Sequence, residues 1–91
     1  MFVVVSYDIP NDKRRTKIFK QMENYGKRVQ YSVFEAVVDD NKLKEMTDNL
    51  KDLIDKEEDS IRVYKLCESC FDKANVYGVG KLNKNEDFYI I

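Results

Sequence analysis

The sequence predicts a single α+β domain in which two helices lie on one face of an antiparallel sheet. The chain opens on a β-branched run, Phe2-Val3-Val4-Val5, the composition of a buried strand. Residues 12–25 and 41–56 carry apolar side chains at helical spacing, and each segment is followed by sequence of high β-propensity. The resulting order, β-α-β(β)-α-β-β, is that of a ferredoxin-like sandwich. No linker interrupts the 91 residues, so residues 1–91 form one domain. A domain of this size buries only about 60–65% of its unfolded surface, and one layer of helices leaves the second face of the sheet open. A homodimer through that face is the economical cover, and the apolar ending Phe88-Tyr89-Ile90-Ile91 suggests that residues 76–91 dock on the partner subunit.

The first strand ends in Tyr7-Asp8-Ile9-Pro10, placing Phe2, Val4, Ser6 and Asp8 on one face and Val3, Val5 and Tyr7 on the other. The first helix is expected from about Asp12 to Tyr25, with Asn11 or Asp12 as N-cap and Gly26 as a left-handed C-terminal residue. Ile18, Phe19, Met22 and Tyr25 make its apolar stripe, and Arg15 falls on the same stripe, over the end of the sheet near Asp8. An ion pair between Arg15 and Asp8 is one role for that arginine. Residues 28–38 are extended and long for one strand; a break near Tyr31-Ser32 would divide them, and a single bent strand remains the other option. The second helix, about Asn41 to Lys56 with Asp39 or Asp40 at its cap, buries Leu43, Met46, Leu50, Leu53 and Ile54. Residues 60–66 alternate as a further strand, and residues 76–80 make a short last one.

Composition excludes several chemistries. There is no histidine, which removes histidine general bases, histidine triads and Cys/His zinc sites. Cys67 and Cys70 form a C-x-x-C pair, half of a tetrahedral zinc site, and an ordinary loop accounts for them best. No apolar run is long enough to span a membrane and no signal pattern is present, so a soluble cytoplasmic protein is expected. The net charge of −1 is unevenly distributed. Residues 13–28 hold seven basic side chains and one acid, whereas residues 39–59 hold nine acids and four lysines. The basic segment is suited to an anion such as the nucleic-acid backbone, although two solvated faces of opposite sign fit equally well.

Asp8 is the strongest candidate for chemistry. A rigid strand end fixes its carboxylate beside the basic segment, where a metal and a phosphate could meet. One carboxylate is a poor Mg²⁺ site, but a two-fold axis would bring a second Asp8 to share the ion. The alternative is an aspartate that ends a strand and caps the next helix. Tyr7, Tyr31, Phe34 and Tyr77 could stack on bases, or be core.

Together, the Tyr7-Asp8-Ile9 strand end, Lys13-Arg14-Arg15-Thr16-Lys17, Gly26, Arg28-Val29-Gln30-Tyr31-Ser32-Val33-Phe34-Glu35 and Asp59-Ser60-Ile61-Arg62-Val63-Tyr64 resemble the CRISPR-associated endoribonuclease family Cas2 over essentially the whole chain. The resemblance implies a homodimer whose two Asp8 side chains approach around Mg²⁺, or another divalent cation such as Mn²⁺. It implies cleavage of RNA or duplex DNA, and a partnership with the CRISPR integrase in spacer acquisition for antiviral defence. By the same resemblance Asp8 is catalytic and metal-binding; Arg15, Lys17 and Arg28 contact phosphate or hold the loop; and Tyr7, Ser32 and Phe34 shape the interface groove. Lys17 stands where many members carry arginine, keeping the charge without the bidentate fork. A catalytically silent DNA-binding adaptor of the integrase complex and a VapD-type RNA-cleaving toxin are the alternatives.

Overall fold

The computed structural model describes residues 1–66 together with residues 75 and 77. The elements run β1 (Phe2–Asp8), α1 (Asp12–Met22), β2 (Gly26–Gln30), β3 (Val33–Val37), α2 (Asp40–Leu53) and β4 (Ser60–Leu66). The strands form one sheet in the order β2-β3-β1-β4, with every adjacent pair antiparallel. This is the predicted sandwich. The Cys67/Cys70 pair, the expected strand at 76–80 and the docking of residues 76–91 lie outside the described residues, as does the apolar terminus.

β1 is the centre of the sheet because it can be buried on both sides. Val3, Val5 and Tyr7 join Ile18 and Met22 of α1, Met46 and Leu50 of α2, and Phe34 and Ala36 of β3 in the main core. Leu43, Leu53 and Ile54 pack around it, so the apolar stripes at helical spacing became the helix–sheet interface. Phe2 starts a second, smaller cluster on the opposite face, with Val4, Val37 and Leu66 against it. Rungs Phe2↔Val37, Phe2↔Leu66, Val4↔Glu35 and Val4↔Tyr64 place all these side chains on the face that carries no helix among the described residues.

Both helices start on side-chain caps. Asn11 Oδ1 accepts from the Arg14 N–H at 2.9 Å, and Asp39 Oδ1 accepts from the Lys42 N–H at 2.7 Å. Asp12 and Asp40 occupy the first turns, Lys20 and Lys51 the last, as the helix dipole favours.

The first helix stops at Met22, three residues short of the expected end, and Gly26 is not its left-handed cap. Gly26 instead opens β2, where a Cβ would lie 2.1 Å from the Glu35 carbonyl oxygen and 2.8 Å from the Ala36 Cβ. The glycine is required by a close approach of two strands. Residues 28–38 are two strands, not one. Tyr31 and Ser32 make the turn, and the register between β2 and β3 slips between Arg28 (opposite Phe34) and Gln30 (opposite Val33). One extra residue, Val29, moves Gln30 to the face opposite that of Arg28 and adds local twist.

Candidate nucleic-acid and metal site at the end of β1

Asp8 is the last residue of the central strand, and its side chain is exposed on the helix-free face. Its backbone is fixed from one side by pairing with Ser60, the final rung of the β1–β4 ladder. On the other side, the Tyr7 N–H donates to the Ser32 carbonyl at 3.0 Å, which ties the β2–β3 turn to the strand end. The chain then leaves through Ile9, which is buried, and reaches the α1 cap at Asn11. A carboxylate is thus presented at the rim of the sheet by backbone that has little freedom.

The arginines divide their work. Arg15 Nη1 donates to the Ile9 carbonyl at 3.0 Å, and the Arg15 Nη2 pairs with Asp12. Arg15 therefore holds the loop leaving Asp8, and its ion pair is with Asp12 rather than with Asp8. With 45% of its side chain exposed, it also lies less inward than the helix stripe suggested. Arg28 reaches from β2 over the Phe19 ring, 5.0 Å from its centroid, a cation–π contact across the helix–sheet boundary. Phe19 packs tilted against Phe34 at 5.6 Å, and Phe34 against Tyr7 at 6.3 Å. Burial raises the Tyr7 phenol above its ordinary value, while the positive charges of Arg28 and Arg15 pull it down. Both guanidinium groups thus act on the same hydroxyl at the end of β1. Lys17 is exposed on α1, one turn beyond Lys13.

Tyr7 and Phe34 do not line an open groove. They are 4% and 1% exposed, on the helix side of the sheet, opposite to Asp8. Alternation along β1 and the rung Val5↔Phe34 dictate this, and it leaves neither ring free to stack on a base. Ser32 contributes its backbone carbonyl from the turn. Tyr31 beside it is 93% exposed, and Tyr77 is 88% exposed.

Two features escaped the sequence reading. Arg14, one residue before the arginine singled out, forms a two-toothed ion pair with Asp59: Nε to Oδ2 at 2.7 Å and Nη2 to Oδ1 at 3.2 Å. The Asp59 side chain is wholly buried and also accepts from the Asp55 N–H at 2.9 Å. The Arg14 hydrogen bond holds the Asp59 carboxyl below its usual range and raises the guanidinium further. Glu35 is the other: on the helix-free face, its Oε1 is buried with no partner, and burial raises its carboxyl. An acid within the charged run of residues 39–59 and an acid within a strand carry no local signal of burial.

As to a metal, Asp8 offers one exposed carboxylate, and no cluster of three or more ligating side chains occurs among the described residues. Mg²⁺ accepts such a site, since it keeps several waters and is commonly held by one or two carboxylates plus substrate phosphate. The exposed Asp8 carboxylate is a donor of the kind such an ion takes. No helix among the described residues is long and apolar enough to cross a membrane.

Residues 1–74 match the family described as CRISPR associated protein Cas2. A curated relative from Chloroflexus aurantiacus, named CRISPR-associated endoribonuclease Cas2 3, is 41% identical over 91 residues, covering 100% of this chain and 98% of its own. The crystal structure of Streptococcus pyogenes Cas2 at pH 6.5 superposes with a TM-score of 0.74 at 34% identity, over 86% of this chain and 100% of that one. A chain from a partial Cas6-RT-Cas1–Cas2 complex superposes with a TM-score of 0.71 at 28% identity, over 82% of this chain and 88% of that one.

Proposed function

The chain belongs to the CRISPR-associated Cas2 family, and from that premise we propose that it is a cytoplasmic, metal-dependent endonuclease taking part in spacer acquisition with the CRISPR integrase. The observation that carries this reading is the exposed Asp8 carboxylate at the end of the central strand, with Arg15 holding the loop behind it. A second copy laid against the helix-free face would bring a second Asp8 to the first. Mg²⁺ or Mn²⁺ bound there would supply a water of lowered pKa and polarise a phosphate, chemistry that a chain without histidine must obtain from elsewhere. Asp8 would hold the cation, and the exposed Lys13 and Lys17 would attract the phosphate backbone. Endoribonuclease is the name its relative from C. aurantiacus carries, which favours RNA as substrate, with duplex DNA as the second.

A second reading, a DNA-binding adaptor that does not cut, has its own support. Asp8 has no companion carboxylate cluster among the described residues, and a structural neighbour comes from a complex that contains Cas1. One experiment separates the two: labelled RNA and duplex DNA are incubated with wild type and Asp8→Asn, with and without Mg²⁺. The nuclease reading expects Mg²⁺-dependent cutting by wild type that Asp8→Asn abolishes while keeping its oligomeric state. Equal cutting by both proteins sinks the assignment of Asp8. No cutting by either, with duplex binding and copurification with the integrase retained, establishes the adaptor.

A further inference from the structure

Asp8 lies between two chain segments, and one ion pair ties them together. The outgoing segment is Ile9-Pro10-Asn11 and the first turn of α1, where Arg14 sits. The opposing segment is the approach to β4, where Asp59 immediately precedes Ser60, the residue paired with Asp8. Arg14 grips Asp59 through two nitrogens, 45 residues apart in sequence. The Asp59 carboxylate is completed by the Asp55 N–H, and the Asp59 N–H donates to the Asp55 carbonyl at 2.8 Å, so the turn before β4 is rigid in its own right. Asn11, as N-cap, fixes the Arg14 backbone from the other side. The Arg14 side chain is 24% exposed and the Asp59 side chain 0%. A burial of this kind is expensive for a bond that merely decorates a surface, because breaking it strands a desolvated charge.

We infer that the Arg14–Asp59 pair is the positioning device for Asp8: it clamps the strand end from below so that the carboxylate is held ready for a divalent cation. This rests on the reading of Asp8 as a metal ligand. Neither Arg14 nor Asp59 touches the cation; both act through the backbone that carries Asp8. A site offering one carboxylate per subunit depends unusually on such support, since few other protein ligands are there to correct a misplaced one. Outer partners that orient a ligand commonly account for 10- to 100-fold in metal affinity.

The test uses the full chain and Mn²⁺ as the probe, with affinity measured calorimetrically for wild type, Asp8→Asn, Asp59→Asn, Arg14→Lys and the exchanged pair Arg14→Asp/Asp59→Arg. Asp39→Ala serves as control, since it loses its helix cap on α2 and leaves the clamp alone. Each protein is measured at a temperature where circular dichroism shows it folded. Asp59→Asn is expected to weaken Mn²⁺ binding roughly tenfold, Arg14→Lys to weaken it less, and the exchanged pair to recover part of the loss. Asp39→Ala should bind as wild type does, and Asp59→Asn should cause no further loss once Asp8 is Asn. Wild-type affinity in Asp59→Asn, or an equal loss in Asp39→Ala, overturns the clamp while leaving Asp8 as the ligand. Unchanged Mn²⁺ binding in Asp8→Asn overturns the metal reading and the clamp together. Should Asp59→Asn not fold, Arg14→Lys decides alone: a loss supports the clamp, and wild-type affinity removes it.

Discussion

Two carboxylates, Asp59 and Glu35, show how differently one chemical group behaves in two surroundings. Asp59 is buried with three donors aimed at it, so its folded form prefers the charged state. Its folded pKa is depressed, and the stability it contributes is present above the unfolded carboxylate value and lost as the pH falls through the folded one. Glu35 is half-buried on the helix-free face with its Oε1 enclosed and unpaired, and its pKa is raised. The sign is reversed: its ionised form penalises folding above the raised pKa, and the penalty is relieved as the pH falls through that value. Glu35→Gln should therefore be more stable than wild type at pH 7, with the gap closing on acidification. Urea denaturation of both proteins at pH 7 and near pH 5 checks this. A gap that is absent or widens in acid would show that Glu35 is satisfied in solution. Arg14 and Arg15, adjacent in a basic run, likewise have separate tasks, because consecutive helix residues point about 100° apart.

At the scale of elements, the β2–β3 hairpin depends most on a single position. Gly26 lies where any Cβ would collide with the Glu35 carbonyl, and backbone cannot yield as a side-chain tip can. Gly26→Ala should destabilise the protein by about 1–3 kcal/mol, the usual range for overpacking. A lowered urea midpoint with unchanged slope is the expected result; a neutral outcome would mean that β2 moves freely away from β3. Because β2 also supplies Arg28, and the turn after it supplies the Ser32 carbonyl to Tyr7, loosening this hairpin reaches the strand end that carries Asp8. The helices were legible from their stripes and caps, and β1 and β4 from their alternation. The hairpin was legible only as one of two options: the break expected near Tyr31-Ser32 is where the chain turns, but without glycine or proline there a single bent strand fitted equally well, and the bulge at Val29 is set by pairing between strands.

At the scale of the molecule, both helices lie on one side of the sheet, leaving Val4, Val37, Leu66 and the exposed Tyr64 on the other around the nearly buried Phe2. The homodimer proposed above would use this face and bring the two Asp8 carboxylates together. Val4→Lys places a charge at the middle of the face, where in an isolated subunit its amine can still reach water. The variant is expected to be a folded monomer by sedimentation velocity, against a dimeric wild type. A dimeric Val4→Lys would place the interface elsewhere.

The sequence by itself determined the two helices and their buried faces, the strands β1 and β4 and the family, because propensity, capping and apolar spacing are local properties that one chain segment carries alone. It also singled out Asp8, since a strand that ends in an acid before a basic helix start is a local pattern. Only the tertiary structure decided that Arg14 rather than Arg15 meets a buried acid, that Tyr7 and Phe34 are core, and that Gly26 serves strand approach rather than a helix end. Each of these depends on partners far apart in sequence, and a side chain's surroundings are fixed by what the fold brings against it.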